Sequence, residues 1–259
     1  MIITSANNPR LKELTLLQKK SKARRESGLF IEEGIRMFRE IPRDCLKEVY
    51  VSESFSQKEE MKELTVEPIV VSDSVFNTLT DTISPQGILA VVKQKNYAVE
   101  DLLTASENPV FLMLENIQDP GNLGTMMRTA EAANVTGVFL SKGSVDMYNP
   151  KVVRATMGAI FRLPFVYVED FISLIEQMEK RQIEIYAACL EGAVSYDVPT
   201  YKSPCGLIIG NEGNGISRQV LDVVKNHIKI PMEGQAESLN AAICAAVYMY
   251  EIYRQRRMK

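Results

Sequence analysis

The segment ENIQDPGNLGTMMRTAEAANVTGVFL, residues 115–140, predicts a strand end, a polar turn, a helix over 123–134 and a second strand. The apolar residues of this helix recur at helical spacing and form one stripe: Leu123, Met126, Met127, Ala130 and Ala133. Arg128 points away from that stripe, so it is not predicted to be a core residue. Asn122 stands at the predicted helix start, where a side-chain oxygen can cap a free backbone N–H. On this segment alone, a capping asparagine and a surface arginine opposite an apolar stripe are the ordinary interpretation of the pair.

The chain around this segment alternates apolar strands with amphipathic helices. The predicted strands are VFLMLE (110–115), TGVFLS (136–141), LPFVYV (163–168), EIYAAC (184–189), GLIIG (206–210) and HIKIPM (227–232). The other predicted helices are 170–181, 216–225 and 239–257. This alternation predicts an α/β fold with a mostly parallel sheet that is covered on both faces. Ligands of such sheets bind beyond the carboxyl ends of the strands, where the glycine-rich loops of this sequence fall.

The amino-terminal part of the chain predicts a smaller α/β domain. It begins with a basic helix over 9–23, and three short apolar runs follow, LKEVYVS (46–52), EPIVVS (67–72) and GILAVVKQ (87–94). Periodicity then weakens up to Pro109, which predicts a linker. We therefore divide the chain into a domain at 1–95, a linker at 96–108 and a domain at 109–259.

Composition narrows the class of protein. The 259 residues are 46% hydrophobic and 24% charged, as in ordinary globular proteins, and no run reaches the ~18 apolar residues of a membrane helix. The first residues lack the pattern of a secretory signal, so we expect a cytoplasmic protein with no membrane association. The four cysteines lie far apart and predict neither a disulfide framework nor a metal site. The single histidine, His227, has no neighbours typical of a catalytic base.

Basic residues are concentrated near the amino terminus, although the net charge is −3. Between positions 10 and 25 seven basic residues accompany one acid, Glu13: Arg10, Lys12, Lys19, Lys20, Lys22, Arg24 and Arg25. Local charge decides contact with phosphates, so all of these except Lys12 are our candidate residues for binding the phosphates of a nucleic acid. A solvated helix face is the alternative interpretation.

Two later segments add to the first. In CGLIIGNEGNGIS (205–217), a strand runs into a turn whose glycines, Gly210, Gly213 and Gly215, expose backbone N–H groups. Their order is neither the dinucleotide fingerprint nor a P-loop, which disfavours the alternative of a nucleotide-binding α/β enzyme. In IKIPMEGQAESLNAAICAAVYMYE (228–251), Ser238 is predicted to cap a helix rich in alanine.

Together, the three segments resemble the signature motifs of the SpoU class of the SPOUT superfamily, which are RNA ribose 2′-O-methyltransferases. The matching stretches are GNLGTMMRTAEAANVTGVFL (121–140), LIIGNEGNGIS (207–217) and IPMEGQAESLNAA (230–242). The amino-terminal part is similar to the L30e-like RNA-binding domain of such enzymes through RRESGLFIEEGIRM (24–37) and SPQGILAVV (84–92).

The resemblance implies a fold, a cofactor and partners. It implies a deep trefoil knot at the carboxyl end, S-adenosylmethionine as the methyl donor, and a homodimer whose pocket draws on both subunits. No metal is implied. Structured RNA is the implied substrate, and the two-domain layout favours ribosomal RNA. A transfer RNA 2′-O-methyltransferase and a non-catalytic knotted RNA-binding dimer remain as alternatives.

The resemblance also implies roles for individual residues. The implied catalytic residues are Asn122, Arg128, Glu212, Ser238 and Asn240. The implied cofactor-binding residues are Leu190, Gly192, Ile209, Gly210, Asn211, Gly213, Ile230, Met232, Ser238 and Leu239. Arg128 is placed at the ribose hydroxyl, either as the proton acceptor or as a clamp on phosphate and hydroxyl; because a guanidinium stays protonated, we prefer the clamp. Ala241 and Ala242 stand where some relatives have Val and Ser.

Overall fold

The computed structural model describes residues 2–80, 82 and 84–258. The chain forms two compact units, each held together by contacts among its own residues. Unit 1 comprises 1–95 and 146–161, and unit 2 comprises 96–145 and 162–259. The predicted second domain, 109–259, includes the segment 146–161. In the structure this segment belongs to unit 1. No helix of the described chain is long and apolar enough to cross a membrane.

The strands in chain order are β1 (Ile2–Ile3), β2 (Leu29–Glu33), β3 (Leu46–Ser52), β4 (Ile69–Val71), β5 (Ile88–Lys93), β6 (Val110–Leu114), β7 (Gly137–Ser141), β8 (Phe165–Val168), β9 (Glu184–Ala188), β10 (Val194–Ser195), β11 (Cys205–Ile209) and β12 (Asn226–Lys229). The α-helices are α1 (Pro9–Lys19), α2 (Ser21–Ser27), α3 (Ile35–Phe38), α4 (Asp73–Phe76), α5 (Val99–Leu103), α6 (Pro120–Ala132), α7 (Pro150–Thr156), α8 (Ala159–Arg162), α9 (Phe171–Lys180), α10 (Arg218–Val223) and α11 (Ala241–Arg257). Helix α5 lies in unit 2, within the stretch predicted as a linker.

Unit 2 is built on a seven-stranded sheet in the order β10-β12-β9-β11-β6-β7-β8, and every pairing in it is parallel. The central strands β6 and β11 are buried along their whole length, as expected for strands covered on both faces. The prediction of an α/β fold with a parallel sheet is therefore confirmed. The trefoil knot stays a prediction.

The strand order creates one place where a ligand can bind. Strands β7 and β8 follow β6 in the chain and lie in turn on one side of it. The later strands β9, β11 and β12 lie on the other side of β6, with β11 next to it. Adjacent loops at such a reversal leave in opposite directions and open a crevice beyond the carboxyl ends of the strands. The loops that follow β9, β11 and β12 meet there.

Two helix starts differ from the sequence prediction. Helix α6 begins at Pro120, and its cap is Asp119, whose carboxylate accepts a 2.7 Å hydrogen bond from the backbone N–H of Asn122. Asn122 therefore does not cap the helix, and its side chain is free for other contacts. Helix α11 is capped by Asn240 and not by Ser238, because the Asn240 side chain accepts from the backbone of Ala242 at 2.9 Å.

Unit 1 contains a five-stranded mixed sheet in the order β1-β4-β3-β5-β2. The single basic helix predicted over 9–23 is in fact two helices, because the extended backbone of Lys20 separates α1 from α2. Helix α2 ends at Gly28, whose φ of 65° is the left-handed conformation that glycine adopts without strain. Apolar side chains of α1, Leu11, Leu14 and Leu17, pack into the core on this sheet.

Arg24 is a correction to the predicted basic surface. Its side chain is only 3% exposed, and its guanidinium donates two hydrogen bonds, of 2.8 and 2.7 Å, to one carboxylate oxygen of Asp146. It also donates to the backbone oxygens of Leu17 and Gln18. A buried guanidinium with all these partners is structural. The remaining candidates, Arg10, Lys19, Lys20, Lys22 and Arg25, are exposed or half-exposed.

The segment 146–161 completes the core of unit 1. The ring of Tyr148 lies 4.8 Å from that of Phe30 on β2, and its hydroxyl donates to the backbone oxygen of Lys95. The ring of Phe161 also lies near Phe30, at 6.1 Å between centroids. Since Asp146 also neutralises Arg24, the first 95 residues alone lack both an apolar cover and a counter-ion.

Glu32 is the least satisfied group of unit 1. It lies on β2 and is 1% exposed, and neither carboxylate oxygen has a hydrogen-bond partner in the described chain. Arg154 of α7 faces it but ion-pairs with Glu33 at 3.7 Å. Burial raises the pKa of Glu32 from 4.5 to about 8, and the nearby Glu33 backbone and the charge of Arg154 offset this only partly. Glu32 is therefore protonated at neutral pH.

We predict that Glu32→Gln stabilises the protein at alkaline pH. Because the folded-state pKa of Glu32 lies above its unfolded value, the folded chain binds the proton more tightly, and stability falls as pH rises from about 4.5 to about 8. Gln has no such proton to lose. Thermal unfolding should give a similar Tm for both proteins at pH 5 and a Tm roughly 5 °C or more higher for Glu32→Gln at pH 9. The exposed Glu67→Gln serves as control; a Tm difference independent of pH would contradict the prediction.

Candidate active site

The glycine-rich loop after β11 is a closed turn. Asn211 and Gly215 exchange two backbone hydrogen bonds, each 2.9 Å long, and Gly215 has a φ of 68°. A Cβ at Gly210 would overlap the backbone of Gly215 and Ile216, so no other residue fits there without moving the loop. Two further backbone N–H groups, of Gly213 and Asn214, donate to the Asn211 side chain.

Both ends of this loop are tied to the segment that follows β6. At the far end, the buried carboxylate of Glu115 accepts from the backbone N–H of Ser217 at 2.8 Å and from its hydroxyl at 2.6 Å. At the near end, the Asn211 amide donates to the backbone oxygen of Asn116 at 2.8 Å. The first and second motifs of the sequence therefore form one hydrogen-bonded structure.

Glu212, at the tip of this loop, caps the turn before α6. Its carboxylate accepts 3.1 Å hydrogen bonds from the backbone N–H groups of Gln118 and Asp119 and from the side-chain amide of Asn122. Partial burial acts to raise the pKa of Glu212, but these hydrogen bonds outweigh it and hold the pKa below its ordinary value. The group is an anion that positions other residues.

The third motif is linked to the first through the side-chain amides of Asn240 and Asn122. The Asn240 side chain donates from Nδ2 to Oδ1 of Asn122 at 2.9 Å, while its own oxygen caps α11. Because Asn122 donates to Glu212, the series Glu212–Asn122–Asn240 links the three motifs. Three of the five predicted catalytic residues thus lie together.

A cavity of about 500 Å³ opens beyond the carboxyl ends of β9, β11 and β12. Its volume lies within the usual range for small-molecule sites. Nine of the ten predicted cofactor-binding residues line it: Leu190, Ile209, Gly210, Asn211, Gly213, Ile230, Met232, Ser238 and Leu239. Most of these contribute apolar surface or backbone.

Gly192 is the exception. It faces a separate surface depression beside His227 and Lys225 and not the cavity, because the chain turns away after Glu191 with Gly192 at a φ of 66°. The wall also contains residues that were not predicted from the sequence: Cys189, Glu191, Glu237, Cys244 and Tyr248. Their positions at strand ends and on α11 were predictable, but nothing in the sequence distinguished them from neighbours that face elsewhere.

Arg128 does not line the cavity of its own chain. It is exposed on α6, six residues after Asn122, which corresponds to about 9 Å of helical rise and about 120° of rotation. Arg128 has no hydrogen-bond or ion-pair partner among the described residues, so its guanidinium is available to a ligand or to another chain. No cluster of three or more metal-binding side chains occurs in the part of the chain that the structure describes.

Comparison with known proteins identifies the family of this chain. Residues 109–250 match the model of the SpoU rRNA methylase family, and residues 8–90 match the MRM3-like substrate-binding domain. The chain belongs to the SpoU rRNA methylase family. The resemblance inferred from the three motifs is confirmed, and the SpoU domain contains the cavity and the Glu212–Asn122–Asn240 series.

Individual relatives match the SpoU chain over nearly its full length. The 23S rRNA (guanosine(2553)-2′-O)-methyltransferase RlmP of Bacillus subtilis is 32% identical over 96% of this chain and 98% of its own. A protein of Synechocystis sp. that is named an uncharacterized tRNA/rRNA methyltransferase is 30% identical over 98% of this chain and 94% of its own. Among solved structures, the SpoU methyltransferase AviRb of Streptomyces viridochromogenes in complex with AdoMet superposes with a TM-score of 0.87 at 26% identity, over 97% of this chain and 99% of that one.

The contacts of the glycine loop generate a matched pair of variants. We predict that Gly210→Ala lowers stability by about 1–3 kcal/mol, because the added methyl group overlaps the loop backbone. Gly213→Ala adds the same methyl group where the nearest atom, Oδ1 of Asn211, is 3.6 Å away, and it should stay close to the parent protein. Thermal unfolding and hydrogen exchange of residues 210–217 measure both effects. Equal stability of the two variants would refute the clash.

Proposed function

We propose that this protein transfers a methyl group from S-adenosylmethionine to a ribose 2′-hydroxyl of ribosomal RNA. The observation that carries the proposal is the hydrogen-bonded series of Asn122, Glu212 and Asn240 beside a cavity of about 500 Å³. The name of RlmP, a full-length relative, gives both the 2′-oxygen and the 23S rRNA. The AdoMet complex of AviRb supports the cofactor.

The cavity suits S-adenosylmethionine in shape and in charge. Ile209, Ile230 and Leu239 offer apolar surface to the adenine ring, and the loops present backbone groups that can bond its edge. The carboxylates of Glu191 and Glu237 stand in the same wall, opposite in sign to the sulfonium and ammonium groups of the cofactor. When bound, the cofactor supplies an electrophilic methyl group.

Positioning by the protein then provides the catalysis. Asn122 is held by Glu212 and Asn240, so its orientation is set before RNA binds, and alignment of two reactants lowers a barrier by several kcal/mol. Arg128 clamps the RNA phosphate beside the reacting hydroxyl through paired N–H donors. The hydroxyl proton passes to a phosphate oxygen or to water, since a guanidinium that stays charged accepts no proton.

The complete site requires a second copy of the chain. Arg128 lies away from the cavity of its own subunit, so we propose that a homodimer brings it to the partner's cavity. Helix α11 supports this arrangement: Ile243 and Tyr250, seven residues apart and on one face, are 51% and 47% exposed. Large apolar side chains left half-exposed on one helix face are typical of an interface.

Unit 1 is proposed to hold the RNA. Lys19, Lys20, Lys22 and Arg25 form the exposed basic surface on α1 and α2, with Arg10 at the start of α1. Such a surface binds phosphates with little dependence on sequence, and specificity then comes from RNA shape. Ribosomal RNA implies a cytoplasmic location. A transfer RNA substrate is the alternative, which the name of the Synechocystis relative leaves open.

The first experiment tests the reaction. Ribosomal RNA from cells that lack the gene is incubated with the purified protein and the labelled methyl donor, and resistance to alkaline cleavage maps the modified ribose. We expect one 2′-O-methyl site in 23S rRNA, with Arg128→Ala and Arg128→Lys each about 10- to 100-fold slower, because Lys cannot form paired hydrogen bonds. Near-full activity of Arg128→Lys between pH 7 and pH 9 would contradict the clamp. Absence of cofactor uptake would leave a non-catalytic RNA-binding dimer.

The second experiment tests the shared site. Arg128→Ala, expected to be 10- to 100-fold slower, is mixed under conditions that exchange subunits with Gly210→Ala, whose displaced loop should weaken binding of the methyl donor. If Arg128 acts in the partner's cavity, a heterodimer contains one site with an intact cavity and an intact Arg128, and activity should return to about one quarter of that of the parent dimer. Mixing Arg128→Ala with itself is the control. No recovery in dimers shown to contain both chains would place Arg128 at its own cavity.

A further inference from the structure

Two cysteine thiols lie in the wall of the proposed cofactor cavity. Cys189 follows β9, and Cys244 lies in the first turn of α11. Both are half-buried and free. The other two cysteines, Cys45 and Cys205, are only 5% and 1% exposed and do not line the cavity. The chain therefore contains two thiols that a cavity ligand can touch and two that it cannot.

The two cavity thiols have matching environments. Sγ of Cys189 donates to the backbone oxygen of Glu191, and Sγ of Cys244 donates to that of Leu239, each over 3.6 Å. Glu191 and Leu239 line the same cavity. Tyr248 lies near both: burial raises its pKa, and the charges of Cys244 and Cys189 would raise it further. Both thiols thus lie near one ring, and each donates to a carbonyl group of the wall.

This environment suppresses the nucleophilicity of both sulfurs. Burial raises the pKa of Cys189 and of Cys244, so each remains a thiol at neutral pH. The thiolate is the nucleophile, and its minor population keeps reaction with an alkylating group slow. A methyl donor can therefore occupy a cavity that contains two cysteines. A small electrophile that enters in the donor's absence reacts with this minor thiolate population, slowly at neutral pH and faster as the pH rises.

We propose that Cys189 and Cys244 are a modification site for small α,β-unsaturated carbonyl compounds, and that a substituent on either sulfur closes the cavity to the methyl donor. In the reaction, sulfur bonds to the β-carbon and the π electrons of the C=C bond move to form an enolate. The thiol proton goes to solvent, and the enolate takes a proton from water. The second half of the inference rests on the proposed function, because it treats the cavity as the cofactor site.

The first test maps the modified residues in the full-length folded protein. N-ethylmaleimide is the probe, and peptide mass spectrometry follows each cysteine with time, with and without S-adenosylhomocysteine. We expect labelling of Cys189 and Cys244 ahead of Cys45 and Cys205, about tenfold faster per pH unit between pH 7 and pH 8, as the thiolate fraction grows. Saturating S-adenosylhomocysteine should slow it at least tenfold.

The outcomes separate the modification site from the proposed function. Equal rates for all four cysteines, or no labelling of Cys189 and Cys244 in the folded protein, would overturn the modification site and leave the methyltransferase proposal intact. Selective labelling that S-adenosylhomocysteine does not slow would overturn the closure of a cofactor cavity, and with it the assignment of the cofactor to this place.

The second test measures the consequence of modification. Calorimetry compares the affinity for S-adenosylhomocysteine before and after maleimide treatment, and we expect at least a tenfold loss in the parent protein. The double variant Cys189→Ala, Cys244→Ala is compared only with itself and should lose no affinity on treatment, whatever its starting value. An equal loss in the double variant, or an unchanged affinity in the labelled parent protein, would refute the proposal.

Discussion

The site depends on the hydrogen bonds that the carboxylate of Glu212 accepts. This carboxylate accepts from two backbone N–H groups in the turn before α6 and from the side chain of Asn122. The free N–H groups of a helix start favour a negative charge, which is why a glutamate in a distant loop can bind there. Through Asn122 the contact reaches Asn240 and the start of α11. One anion therefore links three segments, and the outermost two, at Asn122 and Asn240, are 118 residues apart in sequence.

The parallel sheet makes this contact possible. Since β6 and β11 are adjacent and parallel, the loops that follow them leave the sheet at the same edge. Glu115, at the end of β6, then binds Ser217, while Asn211 binds the backbone of Asn116. These hydrogen bonds close one side of the cavity, and the loops after β9 and β12 close the other. A wall whose loops are hydrogen-bonded to one another is suited to a ligand that must be held in one orientation.

Unit 1 depends on a different constraint, the neutralisation of a buried charge. Arg24 is placed in the core by α2, and burial of a guanidinium without a counter-ion costs several kcal/mol. Asp146 provides the counter-ion from a segment that follows β7 in the chain. Tyr148 and Phe161, from the same segment, cover Phe30. The domain boundary in space therefore differs from the boundary in sequence.

The amino-acid sequence by itself determined six of the seven strands of the parallel sheet, the family and nine residues of the cavity wall. These features rest on local periodicity and on motifs whose residues are close together, as in GNEGNG after β11. The helix caps were mistaken by a few residues, because Asp119 and Asn122, or Ser238 and Asn240, are equally good caps in isolation.

Only the tertiary structure decided which polar residues face the site. In sequence Arg24 resembles its basic neighbours, but in the structure it is buried and paired with Asp146, which lies 122 residues away. Gly192 turns away from the cavity, whereas Cys189 and Cys244 face it. Arg128 is exposed in the single chain, where its guanidinium is available to a ligand or to a second copy of the chain. The direction in which a side chain points at a loop or on a helix depends on long-range packing, and a local pattern contains no information about that packing.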